Sequence, residues 1–113
     1  MKPLTKLYLL DDEGERFFGD GPCRLLTLVE QTGSLRAAAM EMGMAYTKAM
    51  KLLNHAEKAV GEPLTVRSTG GRDGGGSCLT PRGKELVEQY ERYKELCVQA
   101  GRELYSQIFE GGK

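Results

Sequence analysis

The spacing of apolar positions changes along this chain, and each change marks a new element. Leu4 to Leu10 reads as a strand, Asp11-Asp12-Glu13-Gly14-Glu15 as a turn, and Arg16-Phe17-Phe18 as a second short strand. An N-terminal hairpin is the simplest expectation. Gly19-Asp20-Gly21-Pro22 breaks that pattern. Asp20 or Gly21 can cap a helix with Pro22 at its first position, where a missing N–H costs nothing. Leu25, Leu26, Leu28 and Val29 supply the apolar face of this first helix, and Gly33 fits its stop.

Ser34 is a good N-cap for a second helix. Leu35, Ala38, Ala39 and Met42 follow at the spacing of one buried helical face. The alanines 37–39 allow a neighbouring helix to approach closely. Gly43 ends the helix after about two turns, and a third helix runs from about Ala45 to Val60. Two short helices with a glycine in the turn between them form a helix-turn-helix pattern.

The third helix has two faces. Ala49, Leu52, Leu53, Ala56 and Val60 make the core stripe. At about 100° per residue, the opposite stripe is Thr47, Lys51, Asn54 and Lys58, flanked by Lys48 and His55. That outward face holds hydrogen-bond donors and no carboxylate. Tyr46, Thr47, Lys48 and Lys51 occupy its N-terminal end, where major-groove reading wants short polar and cationic side chains. The plain alternative is an amphipathic helix that happens to be basic.

Gly61-Glu62-Pro63 ends this helix. Beta-prone Leu64-Thr65-Val66 and the run Ser77-Cys78-Leu79-Thr80 flank a tip carrying Gly70, Gly71, Gly74, Gly75 and Gly76. Two short strands around such a tip, with Arg67 and Arg72 on it, describe the wing of a winged helix-turn-helix. A simple hairpin loop is the alternative. Thr80-Pro81 then starts a helix that meets no stop before Gly111-Gly112. From Pro81 to about Phe109 it would be about 40 Å long at about 1.5 Å per residue. Along it Leu86, Tyr90, Tyr93, Cys97, Ala100 and Leu104 recur by four and three, and Ile108 continues the row. A helix this long cannot hide that seam on one small domain, so Leu86, Tyr90, Tyr93, Cys97, Leu104 and Ile108 are expected to face a second copy. Folding back on its own domain is the alternative.

The expected fold is therefore mainly α with small β elements. It is a winged helix-turn-helix with an N-terminal β-hairpin and a long C-terminal dimerisation helix. Residues 1–80 hold the hairpin and winged helix, and residues 81–113 the long helix, within one structural domain overall. The 113 residues suit one domain.

Charge sharpens this picture. The formal net charge is zero, yet residues 34–84 carry eight Lys/Arg against four acids (Glu41, Glu57, Glu62, Asp73). A basic middle between acidic flanks suits a local anionic partner. Cys23, Cys78 and Cys97 are far apart, with no C-x-x-C pair, so they indicate neither a zinc site nor a disulfide framework. They read as packed thiols of a reducing compartment. The apolar run Leu7 to Leu10 is too short for a signal peptide or membrane span, so a cytoplasmic protein without a membrane partner is expected. No metal and no cofactor are expected.

Gly33-Ser34-Leu35 through Leu53-Asn54 resembles the N-terminal winged helix of LysR-type regulators. Arg67-Ser-Thr-Gly-Gly-Arg-Asp-Gly-Gly-Gly-Ser-Cys-Leu-Thr-Pro-Arg-Gly83 is similar to the wing of ModE-type molybdate-responsive transcriptional regulators. The resemblance covers about residues 16–109. It implies a dimeric domain that binds double-stranded DNA, its third helix in the major groove and its wing on the flanking backbone. It further implies phosphate contacts from Ser34 and Arg36, base or phosphate contacts from Tyr46, Thr47, Lys48 and Lys51, and a wing tip of Thr69, Gly71 and Arg72. Arg82 would lie close to the DNA backbone. Asn54 and Arg67 join this set from the outward stripe and the wing. Three departures stand out. No C-terminal oxyanion-binding domains follow, so molybdate is not implied as a ligand. Ala45 sits where a Ser or Thr cap is expected, and Asp73 opposes phosphate.

The leading expectation is a homodimeric, sequence-specific DNA-binding transcriptional regulator. The alternative is a protein-interaction module on the same fold that has lost DNA binding; zero net charge and Asp73 favour it, and the outward stripe of the third helix disfavours it. An enzyme fits poorly. His55 is the only histidine, no nucleophile–base motif accompanies it, and the glycine run lacks the Gly-Lys-Ser/Thr of a P-loop.

Overall fold

The computed structural model describes residues 1–68 and 76–111. Its elements in chain order are β1 (Leu9–Leu10), β2 (Arg16–Phe18), α1 (Asp20–Thr32), α2 (Leu35–Glu41), α3 (Tyr46–Val60), β3 (Thr65–Ser68), β4 (Gly76–Leu79) and α4 (Pro81–Phe109). Two antiparallel hairpins, β1–β2 and β3–β4, flank the helical part. The architecture is the expected winged helix-turn-helix with an N-terminal hairpin and a long last helix.

Local chemistry explains most boundaries. Gly33 and Gly61 adopt left-handed φ values of 75° and 82° at the ends of α1 and α3, a conformation that side chains disfavour. The Ser34 hydroxyl accepts a 3.0 Å bond from the Ala37 amide and starts α2. The Thr80 hydroxyl accepts from the Gly83 amide at 3.0 Å and donates to the Pro63 carbonyl at 2.8 Å, which starts α4 and ties it to the chain before the wing. Gly83 is needed at that joint, because an added Cβ would collide with the Leu64 carbonyl. Ala45 caps α3 without a side-chain bond.

Two boundaries differ from the sequence expectation. Only Leu9 and Leu10 pair as a strand, rather than all of Leu4 to Leu10. The returning strand has just three residues, so nothing remains for residues 4–8 to pair with. That segment instead runs beside α4: the Tyr90 hydroxyl lies 3.0 Å from the Leu7 carbonyl, and the Tyr105 hydroxyl donates to the Met1 carbonyl at 3.0 Å. Helix α1 also begins at Asp20, capped by Gly19, and Pro22 sits two residues further in. Asp20 does not cap it. Its carboxylate accepts from the Lys94 ammonium at 2.7 Å and the Tyr90 hydroxyl at 3.1 Å, binding α1 to α4. The Lys94 bond foremost holds the Asp20 carboxyl below its ordinary range.

The core forms around α1. Phe18, Leu25, Val29 and Leu64 are its largest fully buried side chains, and buried Ala38, Ala39, Ala49 and Ala56 let α2 and α3 come close. Burial of the Cys23 thiol, aided by the Glu91 carboxylate 3.8 Å away, pushes it up to about 12. It is a packed thiol, as its spacing suggests.

Leu86 and Tyr90 belong to this core rather than to a partner-facing seam, with 4% and 2% exposure. The Tyr90 ring meets Phe18 edge-on at 5.3 Å. The seam open to solvent therefore begins one turn later, at Tyr93. Tyr93, Leu104 and Ile108 are 53%, 55% and 72% exposed, and Cys97 is half-buried. Among the described residues, no helix is long and apolar enough to cross a membrane.

Candidate nucleic-acid interface

Three elements converge on one face. Ser34 and Arg36 come from the start of α2, Tyr46 and Asn54 from α3, and Thr65, Arg67 and Ser77 from the β3–β4 hairpin; together they line one open cleft. The hairpin is held there by main-chain bonds. The Ser77 amide donates to the Gly33 carbonyl at 2.8 Å, which ties β4 to the α1–α2 turn. The Glu57 carboxylate accepts from the Leu64 and Thr65 amides at 2.8 and 3.4 Å. Among the described residues, the one acid lining this cleft is thus engaged with backbone donors.

Helix α3 presents the expected face. Ala49, Leu53 and Ala56 are buried, and Thr47, Lys48, Lys51, Asn54 and Lys58 are exposed. Among the described residues, Arg36, Lys48, Lys51, Lys58 and Arg67 form no ion pair. Lys48 and Lys51, with the exposed Thr47 hydroxyl and the Asn54 amide, give this face of α3 positive charge and hydrogen-bond donors, and Arg36 and Arg67 add to it from α2 and the hairpin. A cation–π contact organises its edge: the Arg36 guanidinium lies over the Tyr46 ring, 4.2 Å from its centre.

Other candidates are placed differently. The Ser34 hydroxyl accepts the α2 cap bond and keeps its own proton to donate. Arg82 lies 2.7 Å from the Glu85 carboxylate and 3.5 Å from that of Glu62, so it is a neutralised cation at the root of α4. His55 does not join the donor face, because its Nε2 sits 2.9 Å from the Asp11 carboxylate in the β1–β2 turn. That bond is the chief reason the Asp11 carboxyl is lowered. Thr69, Gly71, Arg72 and Asp73 lie outside the described residues.

Sequence reasoning missed two pairs. Nothing in the spacing of Arg36 and Tyr46 shows that one stacks on the other. Asp11 and His55 are 44 residues apart and meet only through the fold. With Glu15 they bring one imidazole and two carboxylates within 4.8 Å of one another, a donor set that cysteine spacing could not reveal.

Residues 23–84 match the family described as bacterial regulatory helix-turn-helix protein, lysR family. Molybdenum transport protein ModE of Herbaspirillum seropedicae is 39% identical over 83 residues, which cover 74% of this chain and 29% of that protein. The corresponding protein of Azotobacter vinelandii is 36% identical over 81 residues, covering 72% of this chain and 30% of its own length. This chain thus spans about 30% of the length of these curated relatives. Among solved structures, the CbnR_DBD-DNA complex superposes with a TM-score of 0.57 at 23% identity, over 72% of this chain and 87% of that one, a likeness of fold. ArgP from Mycobacterium tuberculosis superposes with a TM-score of 0.54 at 26% identity, over 72% of this chain and 29% of that one. By the match across its helix-turn-helix and wing strands, the chain belongs to the lysR family of bacterial regulatory helix-turn-helix proteins.

Proposed function

We propose that the chain is the reading unit of a homodimeric, sequence-specific transcriptional regulator, and that double-stranded DNA is its ligand. The observation that carries this reading is the α3 face, where Thr47, Lys48, Lys51 and Asn54 stand exposed beside the Arg36–Tyr46 pair and Arg67. Helix α3 enters the major groove with Thr47, Lys48, Lys51 and Asn54 toward base edges or adjacent phosphates. Arg36 and Arg67 lie toward the flanking backbone, and the wing tip with Thr69, Gly71 and Arg72 follows it further. The names of the relatives, among them the transcriptional regulator ModE of Haemophilus influenzae, support a regulatory role. Residues 1–80 form the reading part and residues 81–113 the dimerisation helix of one structural domain. In the dimer, Tyr93, Cys97, Leu104 and Ile108 of α4 pack on the same helix of a second copy. The protein works in the cytoplasm, catalyses no reaction and takes no molybdate through these residues.

Selection of genomic DNA fragments by the purified protein at two salt concentrations tests this. A two-fold-symmetric motif should be enriched in both, with affinity falling as salt rises in proportion to the phosphates neutralised. Lys51→Glu should abolish selection without altering the far-UV circular dichroism. Absence of any motif, or full binding by the Lys51→Glu variant, would overturn the reading in favour of a protein-interaction module.

A further inference from the structure

The hollow between the β1–β2 turn and the second half of α3 is lined mainly by acids. Four carboxylates, Asp11, Asp12, Glu13 and Glu15, line it with His55, and Lys58 is its single cationic side chain. Within it the ligating atoms of Asp11, Glu15 and His55 all lie within 4.8 Å of one another. We propose that Asp11, Glu15 and His55 form a binding site for a first-row divalent metal ion of the Zn²⁺ or Co²⁺ kind, which joins the N-terminal hairpin to α3.

The donor set suits such an ion. One neutral imidazole and two carboxylates offer three ligands and balance a charge of +2, and water completes the shell. Metal–nitrogen and metal–oxygen bonds of about 2.1 Å put two ligands of a tetrahedral ion about 3.4 Å apart, so a small opening of the Asp11–His55 pair admits the ion. Asp11 Oδ2 and His55 Nε2 stand 2.9 Å apart. The ion displaces the proton that bridges these two atoms; the coordinated ring carries its single proton on Nδ1, so the ligand is neutral imidazole and any further proton goes to solvent.

The ligands are also held from outside the ion. Asp11 Oδ1 accepts from the Glu13 and Glu15 amides, each at 2.9 Å, which leaves Oδ2 directed at the imidazole. The His55 ring stands edge-on to Phe17, with ring centres 6.5 Å apart, and Phe17 packs against the core. Little side-chain freedom remains to be lost on binding at these two ligands. Glu15 is exposed and swings in as the third.

Titration of the full chain with Co²⁺ in chelator-free buffer tests the site. The expected result is one ligand-field absorbance change that saturates at one ion per chain, carries no thiolate charge-transfer band, and is reversed by Zn²⁺. Loss of an outer-shell partner alone weakens metal binding by about 10–100-fold, so Glu15→Gln and His55→Gln should each weaken Co²⁺ binding at least about tenfold. Glu15→Gln keeps the Asp11–His55 pair and so separates ligand loss from loss of fold. No absorbance change at millimolar Co²⁺, a thiolate band, or wild-type affinity in Glu15→Gln would each overturn the site.

Discussion

A flat ring beneath a guanidinium restricts a side chain that otherwise samples many rotamers. Arg36 is exposed at the start of α2, and the Tyr46 ring, from the first residue of α3, holds its head group at 4.2 Å. Such a contact contributes about 0.5–1 kcal/mol when exposed. On the proposed reading, the contact aims the cation before DNA arrives, which lowers the ordering cost on binding. The expected signature is coupling. Arg36→Ala and Tyr46→Ala should each weaken DNA binding, and the double variant should be no weaker than Arg36→Ala alone. Tyr46→Phe, which keeps the ring, should bind like wild type. Fluorescence anisotropy with a selected operator measures all four variants, and additive losses would show that Tyr46 touches DNA independently of Arg36.

At the level of elements, caps decide where helices start, and these starts orient the outward face of α3. Thr80→Ala removes both the Gly83 cap and the bond to Pro63, and should lower stability by about 1–2 kcal/mol in urea unfolding. Ala45→Ser supplies the side-chain acceptor that α3 lacks, and should raise stability by about 0.5–1 kcal/mol. The same local signals explain what could be read directly from the chain. Ser34, Gly33, Gly61 and Thr80-Pro81 act within one turn of themselves, so α2, α3 and α4 lie within a residue of expectation. The buried and exposed faces of α3 follow from period alone. Tertiary partners account for the misses. Asp20 looks like a cap by type, but Lys94 and Tyr90 claim its carboxylate. Residues 4–8 are apolar enough for a strand but lack a partner strand. Leu86 and Tyr90 fit the seam by spacing, yet they lie opposite α1 and are absorbed by the core. The Arg36–Tyr46 stack and the Asp11–His55 pair join side chains from separate elements, a relation that periodicity does not encode.

The whole molecule extends 59 Å along its longest axis, because α4 alone accounts for about 43 Å at about 1.5 Å per residue. From Tyr93 onward it leaves Tyr93, Leu104 and Ile108 open to water, a cost that the proposed pairing with a second copy would remove. Leu104→Glu combined with Ile108→Glu should give a monomer by light scattering while leaving helicity unchanged, because neither side chain is part of the core. Affinity for a two-fold operator should fall with it. The α1–α4 joint also makes the fold sensitive to acid. The Asp20 carboxyl is lowered in the folded state, so its contribution is full above the unfolded value of about 3.9 and is lost as pH falls through the folded value. Asp20→Asn should therefore reduce stability modestly at pH 7 and flatten its decline below about pH 4, as measured by urea unfolding across that range.

The N-terminal segment carries a further consequence. Because Met1 is held at Tyr105, about one turn before α4 ends, the first residue of the chain and the end of its last helix emerge at a common pole. A fluorophore, affinity tag or fused protein attached at Met1 or after Phe109 would project from that pole rather than over the outward face of α3. A short linker between the two ends would close the chain into a ring, and the break between β1 and β2, at the Asp12-Glu13 turn, would then offer new termini without cutting a helix.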